Sequence, residues 1–349
     1  MEMQNYIQIK NRKIGINYPP LVIAEIGINH NGNLNIAKSM VDAAHRAKIE
    51  VVKHQTHIIE DEMSTSAKSV IPGNSDKSIY DIMKGCALDE AEELELKNYV
   101  ESKGMIFLST PFSRAAADRL EKFGVSAYKI GSGELNNYPL IKHIASFKKP
   151  MILSTGMNDI PAIQRAVEIL KSHQVPFALL HTTNLYPTPP HLVRLGAMIE
   201  MMEVFKNIPI GLSDHTINND AAKVAIGMGA CIIERHFTDH KGRNGPDIIC
   251  SMDEAEAREL VESAKAIFLM RGGKKEATKE EKVTIDFAFA TCVSIESIKK
   301  GEIFNESNLW VKRPGIGEIK ALDYEKLLGK KAKIDIPNDT HITWDMVDA

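Results

Sequence analysis

Eight short apolar runs recur along the chain, at 21–28, 50–56, 105–110, 126–131, 150–155, 176–182, 208–213 and 229–237. Val and Ile dominate most of them and Gly or Pro marks their edges, a composition that predicts buried β-strands. The stretches between them follow a helical period. In 34–47, Met40, Ala44 and Ala47 fall on one face while Lys38, Asp42 and His45 fall on the other. In 159–173, Asp159 suits an N-cap and Pro161 the first turn. The last helix of the series is expected at about 253–270. Strand–helix alternation repeated eight times implies parallel strands with right-handed crossovers, closing into a (β/α)8 TIM barrel over residues 1–270. An open, doubly wound sheet is the alternative.

Two stretches depart from the repeat. The connection after the second run extends from His57 to about Leu88 and contains the turn-forming Pro72-Gly73-Asn74. It is far longer than an ordinary strand-to-helix loop, so it reads as a wall or lid over the site, or as a surface elaboration. The second stretch, RGGKKEATKEEK at 271–282, is charged and carries glycine, as a linker does. A linker over 271–285 leaves a small second domain at 286–349.

Each apolar run turns polar at its carboxyl end, where the loops of a barrel meet. In order these ends supply Glu25, Asn29 and His30; Lys53 and Gln55; Ser109 and Thr110; Lys129 and Ser132; Ser154 and Thr155; His181 and Asn184; Ser213 and His215; Glu234 and His236. Strand alternation puts Glu25, Gly27 and Asn29 on one face, and Val51, Lys53 and Gln55 on one face, which turns His54 toward the helices. For His30, beside Asn31-Gly32, a loop-stabilising and a catalytic role both stay open. His215 and His236 end the seventh and eighth runs, neighbours in a barrel, and two imidazoles so placed can share one divalent ion. Lys53 and Lys129, flanked by apolar residues, need an anion beside them. With Thr110, Ser132, Ser154 and Ser213 they describe a cationic pocket for a phosphate or carboxylate; Schiff-base chemistry is the rival reading. Glu234 supports the site or sits inside the barrel as a paired carboxylate.

Composition narrows the classes without choosing among them. Lys and Arg number 43 against 46 Asp and Glu, a formal charge of −3, and 44% of residues are apolar. That balance argues against nucleic acid or an anionic membrane as partner. The opening segment lacks a signal-peptide core, no apolar run reaches bilayer length, and Cys86, Cys231, Cys250 and Cys292 show no CxxC spacing. The expectation is a reducing, cytoplasmic setting.

The motifs EIGINHNG at 25–32, VVKHQTHIIEDEM at 51–63, STPFS at 109–113, KIGSGE at 129–134, LSTGM at 153–157, TNLYPTP at 183–189, GLSDHT at 211–216 and ERHFT at 234–238 resemble the sialic acid synthases. The likeness continues through GPDIICSM and DFAFA into NLWVKRPG, over nearly the whole chain; Thr182 stands where cysteine is expected. In that family phosphoenolpyruvate (PEP) is condensed with N-acetylmannosamine and water to give N-acetylneuraminate and inorganic phosphate.

The resemblance implies a TIM barrel followed by a small antifreeze-like (SAF) domain, exchanged between the chains of a domain-swapped homodimer. It assigns PEP to Lys53, Thr110, Lys129, Ser132, Ser154, Asn184 and Ser213. It assigns Mn2+, with Mg2+ or Co2+ as substitutes, to His215 and His236. Glu25, Gln55, Asn74, Tyr186 and Asp247 would surround the sugar, and Arg313 would reach its acetamido group from the partner chain. Glu25 and Glu134 are the acid/base candidates. A diacetamido sugar leading to legionaminic acid is the nearest alternative. A metal-dependent hydrolase is more remote, since it wants an HxH pair where the first run ends INHNG. An ice-binding tail is disfavoured by the many charges and absent Thr array of 286–349.

Overall fold

The structure is a computed structural model and describes residues 5–71 and 76–348. Two units divide the chain, Met1–Gly272 and Gly273–Ala349.

All eight expected strands form, after a hairpin that the apolar runs did not announce. The hairpin pairs β1 (Tyr6–Ile9) with β2 (Arg12–Gly15) in antiparallel register. The remaining strands of the first unit are β3 (Leu21–Gly27), β4 (Val51–Thr56), β5 (Ile106–Pro111), β6 (Tyr128–Ile130), β7 (Met151–Ser154), β8 (Phe177–Thr182), β9 (Ile210–Asp214) and β10 (Ile232–His236). Their ladders are parallel in the order β5-β4-β3-β10-β9-β8-β7-β6. The end strands β5 and β6 lie side by side, so the sheet comes round into a nearly closed (β/α)8 barrel. The open-sheet alternative is excluded.

Strand alternation sorts the core into two layers. Val22, Ala24, Ile26 and Val52 point outward and pack with helix residues such as Met40, Leu96 and Val100. Leu21, Ile23, Val51, Leu108, Ile152, Ala178 and Leu180 point inward and fill the amino-terminal half of the barrel. Ile7, Ile9 and Ile14 of the hairpin join that inner cluster and close the barrel floor. Each such isoleucine, nearly fully buried, stabilises the plug by roughly 2 kcal/mol. The closed floor leaves the carboxyl ends of the strands as the polar opening.

The helices end as their sequences direct. Asp159 accepts a hydrogen bond from the Ala162 N–H to cap Ile160–Ser172, and Pro161 sits in the first turn. The closing helix runs Glu254–Met270 behind a capping box made by Asp253 and Glu256. The long connection after β4 has structure of its own: a short helix Ile59–Glu62, a 3-10 turn Thr65–Ser69 and a helix Ile79–Cys86. Pro72, Gly73 and Asn74 lie outside the described residues.

The second unit pairs β11 (Thr291–Ser294) with β12 (Leu309–Lys312) around a core that includes Cys292, Phe304, Leu309, Ile319 and Ile336. A helix, Lys282–Ala288, occupies part of the stretch read as linker. Among the described residues no helix is long and apolar enough to cross a membrane.

Candidate active site

At the open end of the barrel the inner layer changes from apolar to charged within one residue step. Ile23 is followed inward by Glu25, Val51 by Lys53, Leu108 by Thr110, Ala127 by Lys129, Ile152 by Ser154 and Ile232 by Glu234, each buried. Lys53 Nζ lies 2.8 Å from Glu25 Oε1, 3.6 Å from Glu234 Oε1 and 3.3 Å from Thr110 Oγ1. Lys129 Nζ donates to Ser154 Oγ at 2.6 Å and to the Ile130 carbonyl at 2.9 Å, and stands 3.7 Å from Glu234 Oε1. Ser213 Oγ donates to Glu234 Oε1 at 3.4 Å.

This arrangement corrects the expectation of a cationic pocket. The anions that buried lysines require are already present as Glu25 and Glu234, so the two lysines are neutralised by the protein itself. Glu234 is the paired carboxylate of the two roles open to it. Burial pulls Lys129 down to about 8, against the opposing pull of Glu234. Burial acts on Lys53 as well, but Glu234 and Glu25 together outweigh it and hold its pKa above the ordinary lysine value.

Beside the lysines, Ser132 and Asn184 meet across Gly156. The Gly156 N–H donates to Ser132 Oγ at 3.1 Å, and a β-carbon on Gly156 would stand 1.8 Å from Asn184 Oδ1. Only glycine fits between them. Glu134 follows Ser132 in a 3-10 turn, half-buried, and accepts from Asn137 Nδ2 at 2.7 Å. Burial raises its pKa above the ordinary glutamate value, which suits a proton donor.

The histidines close the other flank. His215 and His236 follow and end the adjacent strands β9 and β10, with ring centroids 5.4 Å apart. His215 Nδ1 lies 2.8 Å from the Thr183 carbonyl, which fixes hydrogen on Nδ1 and leaves Nε2 with its lone pair. Burial, followed by His236, lowers its pKa to about 3, so the ring is neutral. Tyr186 stacks on His215 at 4.2 Å and meets His236 edge-on at 5.8 Å. Asp247 Oδ2 lies 3.7 Å from His236 Nδ1. Two imidazoles at the ends of neighbouring strands, the His215 ring neutral and Asp247 beside His236, are a donor set that suits a divalent ion, although no group of three or more His, Cys, Asp or Glu placed to hold a metal forms among the described residues.

Comparison with known proteins places this geometry in a family. The NeuB family model matches residues 40–276, and the SAF domain model matches 293–348. The chain belongs to the NeuB family. It is similar to N,N'-diacetyllegionaminic acid synthase of Campylobacter jejuni, at 37% identity over 91% of this chain and 97% of that one. The synthase of the same name from Legionella pneumophila is 32% identical over 97% and 99% of the two chains. Among solved structures, the N-acetylneuraminic acid synthetase of Leptospira borgpetersenii, in complex with citrate, superposes with a TM-score of 0.74 at 31% identity, over 81% of this chain and 96% of that one. The NeuB-family chain is therefore an enzyme of the nonulosonate synthase type, a TIM barrel with a carboxyl-terminal SAF domain.

Within the barrel, the contacts above bring together Glu25, Lys53, Thr110, Lys129, Ser154 and Ser213 as one group, which Gln55 joins through a hydrogen bond to Glu25, and Tyr186, His215, His236 and Asp247 as another. Asn74 lies outside the described residues. Arg313 lies in the second unit directly after β12, exposed. His30 and His54 face the helices: they are buried, stacked at 5.3 Å, and His54 Nδ1 lies 3.2 Å from Glu93 Oε1 of the helix Glu90–Ser102. His30 is thus a packed residue behind the site. A hollow of about 500 Å³ lined by Thr155, Ile163, His181, Arg194 and Met201 also opens on the helix side, away from the lysines.

Sequence reasoning overlooked Arg235. Pointing outward between His236 and Glu234, it lies 3.3 Å from Asp214 and donates to Asn219 Oδ1 at 2.6 Å, to the Thr216 carbonyl and to the Cys250 carbonyl. One buried guanidinium thereby holds the segments that carry His215, His236 and Asp247. Strand alternation could have found it, since an arginine facing the helix layer demands a buried partner and Asp214 follows Ser213 on the next strand.

Proposed function

We propose that this enzyme is an N-acetylneuraminate synthase: it condenses PEP with N-acetylmannosamine and water, yielding N-acetylneuraminate and inorganic phosphate. The observation that carries the reading is the buried layer in which Lys53 and Lys129 stand among Thr110, Ser154 and Ser213, next to the pair His215 and His236.

In this reading Lys53, Thr110, Lys129, Ser132, Ser154, Asn184 and Ser213 bind the phosphate and carboxylate of PEP and aim its C3 at the sugar aldehyde. Glu25, Gln55, Tyr186 and Asp247 surround the sugar, with Asn74 from the long connection and Arg313 from the partner of a domain-swapped dimer. His215 and His236 would hold the divalent cation, Mn2+ or in its place Mg2+ or Co2+. When bound, that ion supplies Lewis acidity toward the aldehyde oxygen and the positive charge that the neutralised lysines do not. Bond formation from C3 to the aldehyde carbon breaks the aldehyde π bond, whose oxygen gains a proton from Glu25 or Glu134, and leaves C2 electron-poor. Water adds there, giving a proton back to that carboxylate, and the phosphate-bearing intermediate collapses to the keto acid as its C2 hydroxyl proton passes to the departing phosphate and the C–O bond breaks. The setting proposed is cytoplasmic.

The second reading replaces the acceptor with a diacetamido hexose and the product with a legionaminic acid. It is favoured by the names of the Campylobacter and Legionella relatives. Steady-state assays with PEP and each acceptor separate the two. A higher kcat/KM for N-acetylmannosamine is expected, and preference for the diacetamido sugar would replace the first reading by the second.

A further inference from the structure

Behind the sugar-facing carboxylate runs a line of polar groups to which the proposed chemistry gives no role beyond Gln55. Gln55 Nε2 donates to Glu25 Oε1 at 2.7 Å. Gln55 Oε1 lies 3.1 Å from His57 Nε2, and His57 Nδ1 lies 2.8 Å from Glu62 Oε2. The last two side chains are shielded from solvent, 2% and 8% exposed. Phe112 stacks on the His57 ring at 4.5 Å with planes 14° apart, which fixes the ring's attitude. At the near end Gly27 adopts φ +48°, and a β-carbon there would stand 3.1 Å from Gln55 Nε2 and 3.2 Å from Glu25 Oε1. The backbone has been kept bare where the amide meets the carboxylate.

Counting donors determines what this line can be. A carboxylate only accepts, so His57 Nδ1, facing Glu62, carries hydrogen. Gln55 spends its amino group on Glu25 and turns its carbonyl oxygen to His57, so Nε2 carries hydrogen as well. A ring with hydrogen on one nitrogen alone would set two acceptors against each other, or turn the Gln55 amide over. Turned over, the amide oxygen would face Glu25 Oε1, which is tolerable only with a proton on Glu25. The placement of hydrogen on His57 and the direction of the Gln55 amide toward Glu25 are thereby linked. Glu62 faces the ring from the helix Ile59–Glu62, His30 acts on it electrostatically from the turn after β3, and Phe112 covers it without charge. Lys53 holds the far end through Glu25.

We infer that His57, held by Glu62, is a positioning residue for Glu25: it locks the Gln55 amide with Nε2 toward that carboxylate and so fixes the carboxylate's place beside the acceptor sugar. This rests on the reading above, in which Glu25 and Gln55 surround the sugar. The Glu62→Gln variant offers a neutral way to keep the same orientation, because its amino group can donate to His57 Nδ1 and leave the hydrogen on Nε2.

The test is steady-state kinetics of the full-length enzyme at one neutral pH, with PEP, Mn2+ and the best acceptor sugar. His57→Phe, which keeps a stacked ring without nitrogens, is expected to lower kcat/KM for the sugar about tenfold or more while KM for PEP stays within about twofold. Glu62→Gln is expected to lose less kcat/KM for the sugar than His57→Phe, because its imidazole keeps the Nε2 hydrogen that holds the Gln55 amide. A Glu62→Gln enzyme that loses about tenfold or more in kcat/KM for the sugar overturns the inference, whether or not His57→Phe folds. So does a His57→Phe enzyme in which both KM values and the melting temperature change together. A wild-type enzyme that condenses PEP with no amino sugar overturns the underlying function and this inference together; an active wild type with indifferent variants overturns this inference alone.

Discussion

Lys129 Nζ stands 3.7 Å from Glu234 Oε1, both of them buried at the polar end of the barrel. The same oxygen serves Lys53 at 3.6 Å, so one carboxylate compensates two ammonium groups. Glu234→Gln removes that compensation without changing side-chain shape. Breaking a buried pair on one side typically costs about 3–5 kcal/mol, and a loss on that scale is expected in urea unfolding. Inorganic phosphate should then stabilise the variant more than the wild type, because an added anion replaces the missing charge. Equal stabilisation of the two proteins would count against Glu234 as the lysines' counter-charge.

His30 gives the fold a dependence on pH. Burial, then His54, holds its pKa down at about 3, whereas the unfolded chain takes up that proton near the ordinary value of about 6.5. The unfolded state therefore binds more protons between these values, and stability falls as pH falls through this window. At pH 5 the loss relative to pH 7 amounts to roughly 2 kcal/mol from this ring alone. His30→Phe should flatten the stability profile between pH 7 and 5 by about that amount in denaturant titrations. An unchanged slope would show that folding leaves the ring's affinity for a proton unaltered.

Gly156→Ala should act on one substrate. Its β-carbon collides with Asn184 Oδ1 and stands 2.9 Å from Ser132 Oγ, so both side chains must move. KM for PEP is expected to rise about tenfold or more, with a stability loss of about 1–3 kcal/mol from overpacking. A rise confined to the sugar KM would remove Ser132 and Asn184 from the PEP site.

His215→Ala and His236→Ala should each abolish tight Mn2+ binding in titration calorimetry and lower activity in step, at least about 100-fold. Variants that keep both full activity and activity after chelation would reject the metal assignment.

Much of this was legible in the chain because a barrel repeats one signal eight times. Ile23 before Glu25, Val51 before Lys53 and Ile152 before Ser154 state both the strand and its polar end, and alternation correctly turned His54 away from the axis. The floor was not legible. β1 and β2 hold four residues each, too few to register as apolar runs, and their turn passes through Lys10 at φ 50° where Gly or Asn would have signalled a hairpin. The charge of the pocket was misread for a related reason. Lys53 and Lys129 lie on different strands from Glu234, and only the closed barrel sets that carboxylate between them. The couple of His57 with Glu62 was hidden in a connection whose length showed while its short helix did not.

The central claim is a condensation that consumes PEP only when an amino sugar accepts it. Its most direct test is mass spectrometry of products, with phosphate quantified, after incubation of the enzyme with PEP, Mn2+ and a panel that includes N-acetylmannosamine and the diacetamido hexose. The expected result is a nine-carbon keto acid formed from N-acetylmannosamine, one phosphate released per acid, and no phosphate without acceptor. Phosphate release in the absence of any sugar, or no keto acid from any member of the panel, would contradict it.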